Sequence, residues 1–194
     1  MQFFDNAYMG TPTWDIGRPQ GAIVRLATAG SIAGPVLDVG CGTGENSLYL
    51  AALGHDVVGI DLARAAIDKA RAKARQRAAG GSADFLVWDA LRVAGLGRGF
   101  QTAVDVGLFH CLQPDERAKY AASLHDALNP GGRAFLLCWS TRNPLGYGPE
   151  RIRKSDIGAS FRSGWSVEVI EEETLESLLP SRVVHAWLAR IRRT

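Results

Sequence analysis

At 194 residues, with 46% hydrophobic and 22% charged side chains, the chain has the length and composition of one soluble domain and is too short for two ordinary ones. Its formal net charge of +2 is too small to suggest a polyanionic partner, so no nucleic acid is expected, and no stretch approaches the roughly 20 apolar residues that cross a bilayer. The N-terminal MQFFDNAYMG has no basic segment followed by a long apolar core, which predicts a cytoplasmic protein, and Cys41, Cys111 and Cys138 have neither disulfide-framework nor metal-ligand spacing, so no metal is expected.

In chain order, an aromatic N-terminal segment (Phe3, Phe4, Tyr8, Trp14) precedes Gln20 to Ala29, where Ile23, Val24, Leu26 and Ala27 recur with helical spacing. From Pro35 strands and helices alternate. The pattern predicts a strand at Val36 to Val39, a helix at Glu45 to Leu53, a strand at Asp56 to Ile60 and a helix at Leu62 to Ala79. Strands follow at Ala83 to Trp88 and Thr102 to Val106, then a helix at Asp115 to Leu128 and a strand at Gly132 to Trp139. Strands separated by such helices build an α/β fold with a doubly wound, mainly parallel sheet. In the tail, Ser166 to Glu171 and Val183 to Ile191 are strand-like, and Glu173 to Leu179 between them reads as a helix ended by Pro180. Thr141 to Gly164 reads as a long loop near the substrate mouth, and its basic run Arg151, Arg153, Lys154 as a solvated face.

The run Val36 to Gly44, VLDVGCGTG, is an apolar strand that turns through Gly40, Gly42 and Gly44. Residues without a Cβ let the backbone turn sharply and approach a bulky ligand. A dinucleotide fingerprint would need glycine at position 45, which is Glu45; a carboxylate there opposes phosphate at a helix N-terminus. The turn resembles the nucleotide-binding turn of S-adenosylmethionine (SAM) methyltransferases, whose cofactor has no phosphate and carries a sulfonium and an ammonium, so that Asp38 and Glu45 suit it. The resemblance covers nearly the whole chain and implies a single Rossmann-like class I methyltransferase domain, residues 1–194, with seven strands, the last antiparallel.

In open α/β sheets the ligand lies beyond the carboxyl ends of the strands. Asp61, followed by Leu62, closes the second strand and reads as an acceptor for ribose hydroxyls, with an N-cap for the next helix as the alternative. By resemblance Asp89 contacts the adenine amino group and the N–H of Ala90 the ring. At the fourth strand, TAVDVGLFHCL lacks the Asn/Asp-Pro-Pro-aromatic motif of amino-group methyltransferases; Val106 and Gly107 are expected to border the cofactor, with Phe109 and His110 toward the acceptor pocket or the start of the following helix. His110, with an ordinary pKa of about 6.5, is the candidate general base, and a buried histidine bonded to a backbone carbonyl is the alternative.

TPTWDIGRPQ, together with the glycine turn and GLFH, resembles the thiopurine, thiol and halide methyltransferases, and more closely the bacterial heterocyclic toxin methyltransferases, which act on hydroxyquinolones. The resemblance implies that residues 1–30 form a lid and helix over the cofactor, in which Trp14 covers it near Gly17 and Arg18 pairs with the methionine carboxylate. Phe3, Phe4, Tyr8, Phe109, Trp139 and Tyr147 are the candidates for an aromatic acceptor pocket, some of them competing with a core role. The expectation is O-methylation of a small aromatic heterocycle by a monomer or homodimer, detoxifying in effect, with Asp15 as a second candidate base. Thiol or halide methylation and a catalytically silent SAM-binding regulator are the alternatives.

Overall fold

The computed structural model describes residues 2–77, 81–146, 148–180 and 183–194. Helices α1 (Gln2–Ala7) and α2 (Gly21–Thr28) lead into β1 (Val36–Val39), α3 (Glu45–Ala52), β2 (Val57–Asp61), α4 (Arg64–Gln76) and β3 (Ala83–Val87). A 3-10 segment (Ala90–Leu96), β4 (Phe100–Val106), a 3-10 turn (Phe109–Cys111), α5 (Pro114–Ala127) and β5 (Leu128–Trp139) follow. The chain closes with α6 (Lys154–Ser160), β6 (Trp165–Glu176) and β7 (Val183–Arg193).

The seven strands form one sheet in the order β3-β2-β1-β4-β5-β7-β6. β1 pairs in parallel with β2 and β4, β2 with β3, and β4 with β5, while β7 runs antiparallel to both β5 and β6. The short inner strands are apolar because helices cover both faces: all four residues of β1 are buried. Leu37, Val39, Val58, Phe100 and Tyr120 belong to one core layer, and Ile23, Val36, Val57, Phe135 and Trp139 to the other.

Two expectations change. Glu173 to Leu179 is not a helix. Its first residues prolong β6, whose register with β7 runs from Trp165↔Arg193 to Glu176↔Val183, and this long pairing overrides the helix preference of the glutamates. Glu168, Glu171, Glu172 and Glu173 instead charge an edge strand, which discourages pairing with other chains. Within the expected loop Thr141 to Gly164, α6 buries Ile157, and Ile152 and Phe161 on either side also enter the core. The basic run of that loop is exposed at Arg153 and Lys154, as a solvated face would be, with Arg153 bonded to Asp156 and Lys154 over Trp187, while Arg151 is half-buried and stacks over Trp139.

Among the described residues, no helix is long and apolar enough to cross a membrane and no acidic, histidine or cysteine cluster could hold a metal.

Candidate active site

The parallel strands end on one edge. Val39 of β1 is level with Ile60 of β2 and Asp105 of β4, Asp61 with Val87 of β3, and Val106 with Leu137 of β5. The segments that leave these strands, residues 40–44, 61–63, 88–90 and 107–110, therefore emerge on the same side, where Trp139 ends β5.

The turn after β1 is left-handed at Gly40, Gly42 and Gly44 (φ +71°, +54° and +84°), a conformation that side chains disfavour. It hangs from β2. The N–H groups of Gly40 and Cys41 donate to the Ile60 carbonyl at 2.8 and 2.9 Å, and that of Gly42 donates to Asp61 Oδ2 at 3.0 Å. Asp61 Oδ1 accepts the Ala63 N–H at 2.8 Å, just before α4. The helix-entry reading of Asp61 holds: its oxygens fix the turn and the N–H of Ala63, and each keeps a further lone pair.

The three glycines face different neighbours. A Cβ on Gly40 would come within 2.9 Å of Leu108 and one on Gly42 within 2.7 Å of the Tyr8 hydroxyl. Gly44, expected at the cofactor, is turned into the core, since its Cβ would meet the Phe85 ring at 2.7 Å and Ala70 at 3.0 Å.

Asp38 is 1% exposed. Its Oδ2 accepts the Ser47 hydroxyl at 2.6 Å, while Oδ1 is enclosed without a partner. Burial, abetted by Asp61 and opposed by the Ser47 bond, pushes the carboxyl up to about 6. Glu45 does not join this acidic set. Its carboxylate turns to α4, where Lys73 and Arg77 each donate to it at 2.7 Å and, against its burial, hold its pKa below the ordinary value. Lys73 also donates to Thr43 Oγ1 at 2.7 Å, and that hydroxyl donates to Asp15 Oδ2 at 3.0 Å.

The N-terminal segment lies on the glycine turn. Trp14 donates its indole N–H to the Tyr8 hydroxyl at 2.9 Å, and the rings of Phe4 and Tyr8 both meet the Trp14 ring edge-on with centroids 6.1 Å away. Tyr8, expected in the acceptor pocket, is buried with its hydroxyl against Gly42 of the glycine turn. Arg18, expected on a carboxylate of the cofactor, pairs with Glu176 at 2.5 Å. Gln20 anchors the same stretch: its amide donates to the Glu176 carbonyl at 3.0 Å and accepts the Glu176 N–H at 2.9 Å.

At the end of β3, Asp89 Oδ1 accepts the Leu91 N–H at 2.9 Å, capping the 3-10 segment that starts with the buried Ala90. Leu62 stays 44% exposed at this edge. Val106 and Gly107 are half-buried at the end of β4, with Gly107 at φ +90°.

Two residues of the next turn change role. Phe109 is fully buried, packed beside Tyr120 and Phe161 under the Arg117 guanidinium; its ring fills the core and not an acceptor pocket. His110 is 7% exposed, and its Nδ1 accepts the backbone N–H of Trp139 at 3.1 Å. Burial, with Arg117 and Arg151 nearby, pushes the ring down to about 3. The ring is therefore neutral at physiological pH with its proton on Nε2, which is the wrong tautomer for a general base. Trp139 lies 6.2 Å from His110 between ring centroids and is covered by Gly148 and Arg151. Tyr147 falls outside the described residues.

The sequence reading missed Asp105. Its Oδ1 accepts the N–H groups of Leu108 and Phe109 at 2.9 and 3.3 Å, and its Oδ2 accepts the Tyr120 hydroxyl at 2.7 Å. It thereby caps the turn that carries His110. Burial, opposed by these bonds, pushes its carboxyl up to about 7. An aspartate three residues before a turn inside an apolar strand was the available signal.

The site fits SAM. The enclosed, unpartnered Asp38 Oδ1 suits an ammonium group or a water bound to one, Asp61 and Asp89 offer acceptors for hydroxyl and amino groups, and the cations near the glycine turn, Lys73 and Arg77, are both engaged by Glu45.

Comparison with known proteins agrees. The family described as "Methyltransferase domain" matches residues 36–132. A 2-heptyl-1-hydroxyquinolin-4(1H)-one methyltransferase of Mycobacteroides abscessus is 32% identical, over 89% of this chain and 80% of its own. A probable thiol methyltransferase 2 of Arabidopsis thaliana is 27% identical, over 76% of this chain and 65% of its own. A structure solved in work on the conversion of a disulfide bond into a thioacetal group during echinomycin biosynthesis is 39% identical with a TM-score of 0.89, covering 99% of this chain and 91% of that one. A SAM-dependent methyltransferase of Anabaena variabilis shares the fold at 19% identity and a TM-score of 0.77, covering 100% of this chain and 93% of that one. With the glycine turn, the acidic strand ends and the 3-2-1-4-5-7-6 sheet in hand, the chain belongs to the methyltransferase domain family and is a class I SAM-dependent methyltransferase.

Proposed function

We propose that this enzyme methylates a nucleophilic oxygen on a small aromatic heterocycle of the hydroxyquinolone, flavonol or quinol type, with a detoxifying outcome. The observation that carries the reading is that the histidine at the acceptor end is not available as a base. His110 has committed Nδ1 to the Trp139 N–H. Such a site serves an acceptor that arrives already nucleophilic, as an acidic hydroxyl does when ionised. The hydroxyquinolone methyltransferase of Mycobacteroides abscessus supports the same class of acceptor.

When bound, SAM supplies a methyl group on a positively charged sulfur, which is an excellent leaving group. The chain's own contribution is then placement. Asp38, Asp61, Asp89, Ala90 and the turn at Gly40 and Gly42 would hold the cofactor, Leu62, Val106 and Gly107 would border it, and Trp14 with Phe4 would close over it and exclude water. Trp139 lies beside His110 and flanks the acceptor end, where holding the nucleophile about 3 Å from the methyl carbon is the main source of rate.

Sulfur is the second reading. The 39% identical structure comes from work on a disulfide-to-thioacetal conversion, and a thiol methyltransferase is among the relatives. Sulfur also needs little help from a base. Mass spectrometry of products from SAM with hydroxyquinolones, flavonols, quinols, thiols, iodide and a cyclic disulfide peptide separates the two. A methyl ether on a hydroxylated heterocycle is expected; products confined to sulfur or iodide would replace the oxygen reading.

A further inference from the structure

His110 is held from two sides. The Trp139 N–H occupies its Nδ1 at 3.1 Å, and the turn that carries it is capped by Asp105 through the N–H groups of Leu108 and Phe109. The ring can therefore neither flip nor change tautomer without leaving a buried backbone N–H unpaired. Its other nitrogen, Nε2, has no partner among the described residues, yet it is not one of the enclosed, unpartnered side-chain atoms. That edge of the ring faces Gly107: a Cβ on Gly107 would lie 3.4 Å from His110 Cε1 and 3.7 Å from Nε2. Glycine thus leaves the space open at the end of β4, on the edge where the cofactor and acceptor meet.

The charged groups around the ring have one bias. Arg117 of α5 lies over Phe109, the preceding residue, and is paired with Glu150; Arg151, from the segment after β5, lies over Trp139; Asp105 of β4 is turned away into the bonds of Leu108, Phe109 and Tyr120. Both guanidinium groups oppose a positive charge on the imidazole. By the same sign they disfavour a cationic acceptor and favour an anionic one, Arg151 more than Arg117, whose charge is offset by Glu150.

We propose that His110 is a fixed Nε2–H donor that selects acceptors entering the site as anions, the N–H bonding to the ionised oxygen, or to a thiolate, and rejecting amines. This rests on the methyl-transfer reading of the site. The anion's lone pair forms the bond to the methyl carbon as the carbon–sulfur bond breaks with its electrons on sulfur, so the charges cancel and no proton moves at His110.

The test has two arms. Long-range 15N NMR of the enzyme with S-adenosylhomocysteine, the His110 signals being identified by their loss in His110→Asn, should show the Nε2–H tautomer without titration from pH 5 to 9. An Nδ1–H tautomer, or a midpoint near the ordinary histidine value, would overturn the proposal whatever the acceptor proves to be. In the second arm, kcat/KM is measured against pH for phenolic and N-hydroxy acceptors of graded acidity. The rising limb should move with each acceptor's own pKa. His110→Asn, which can still accept the Trp139 N–H but loses the outward donor, should lower kcat/KM about 10- to 100-fold, whereas His110→Gln, whose amide reaches the Nε2 position but gives up the Trp139 N–H, should keep more activity than His110→Asn while losing stability. A limb at one pH for every acceptor, absent in His110→Asn, would make His110 a base and sink the proposal. If only thiols are methylated, the heterocycle reading falls and the NMR arm alone decides the role of His110.

Discussion

The hydroxyl of Tyr8 stands 2.7 Å from the point a Cβ on residue 42 would occupy, and the same oxygen accepts the indole N–H of Trp14. One atom thus registers the N-terminal segment against the glycine turn. Gly42→Ala should both strain the φ of +54° and displace that oxygen, weakening SAM binding about 10- to 100-fold by calorimetry. Tyr8→Phe in the same chain should recover part of the loss because it removes the colliding oxygen; purely additive effects would mean that the two sites are not coupled.

Asp61 is bonded to the N–H groups of Gly42 and Ala63 and is expected to receive the ribose. Asp61→Ala should remove all three interactions, weakening SAM binding at least about tenfold and lowering stability by about 1–3 kcal/mol from the two orphaned N–H groups. Isothermal titration and chemical denaturation read the two effects apart. Lost stability with unchanged SAM affinity would leave Asp61 only its structural role.

Phe109 is fully buried against Tyr120 and Phe161. Phe109→Ala should therefore destabilise the fold by about 3–5 kcal/mol, seen as a lower denaturation midpoint. Phe109→Leu should keep much of the packing and leave the KM for acceptors unchanged. A change of acceptor preference without a loss of stability would return Phe109 to the pocket.

Asp105, with its carboxyl pushed up to about 7 in the fold, binds a proton more tightly folded than unfolded. Its contribution to stability is present in full below the unfolded value of about 4 and is lost as pH rises through 7, each tenfold difference in proton affinity being worth about 1.4 kcal/mol. Asp38, pushed up to about 6, adds to the same trend. His110, pushed down to about 3, opposes this trend over the same window, so the expected observation is a difference: Asp105→Asn, whose amide can still accept from Leu108 and donate to Tyr120, should lose less stability than the parent between pH 4 and 7. Equal slopes in parent and variant, measured by denaturation across the range, would remove Asp105 as a source.

The alternation of strand and helix, the glycine turn and the acidic residues at the strand ends were legible in the sequence because each depends on local rules: periodicity, missing Cβ atoms and the geometry of parallel crossovers. Elements with mixed local preference were not. Glu173 to Leu179 reads as a helix until β7 is placed beside its first residues, and the segment 141–164 reads as a loop until Ile152, Ile157 and Phe161 are seen in the core.

Within the site, the sequence alone determined that Asp38, Gly40, Gly42, Asp61, Asp89 and Gly107 share one edge, since their order along parallel strands requires it. Only the tertiary structure decided what each side chain faces. Gly44 and Phe109 turned inward, Glu45 went to Lys73 and Arg77, Arg18 went to Glu176, and the Nδ1 of His110 was taken by the Trp139 N–H. Orientation, burial and the choice between hydrogen-bond partners depend on residues distant in the chain, and a local pattern carries no record of them.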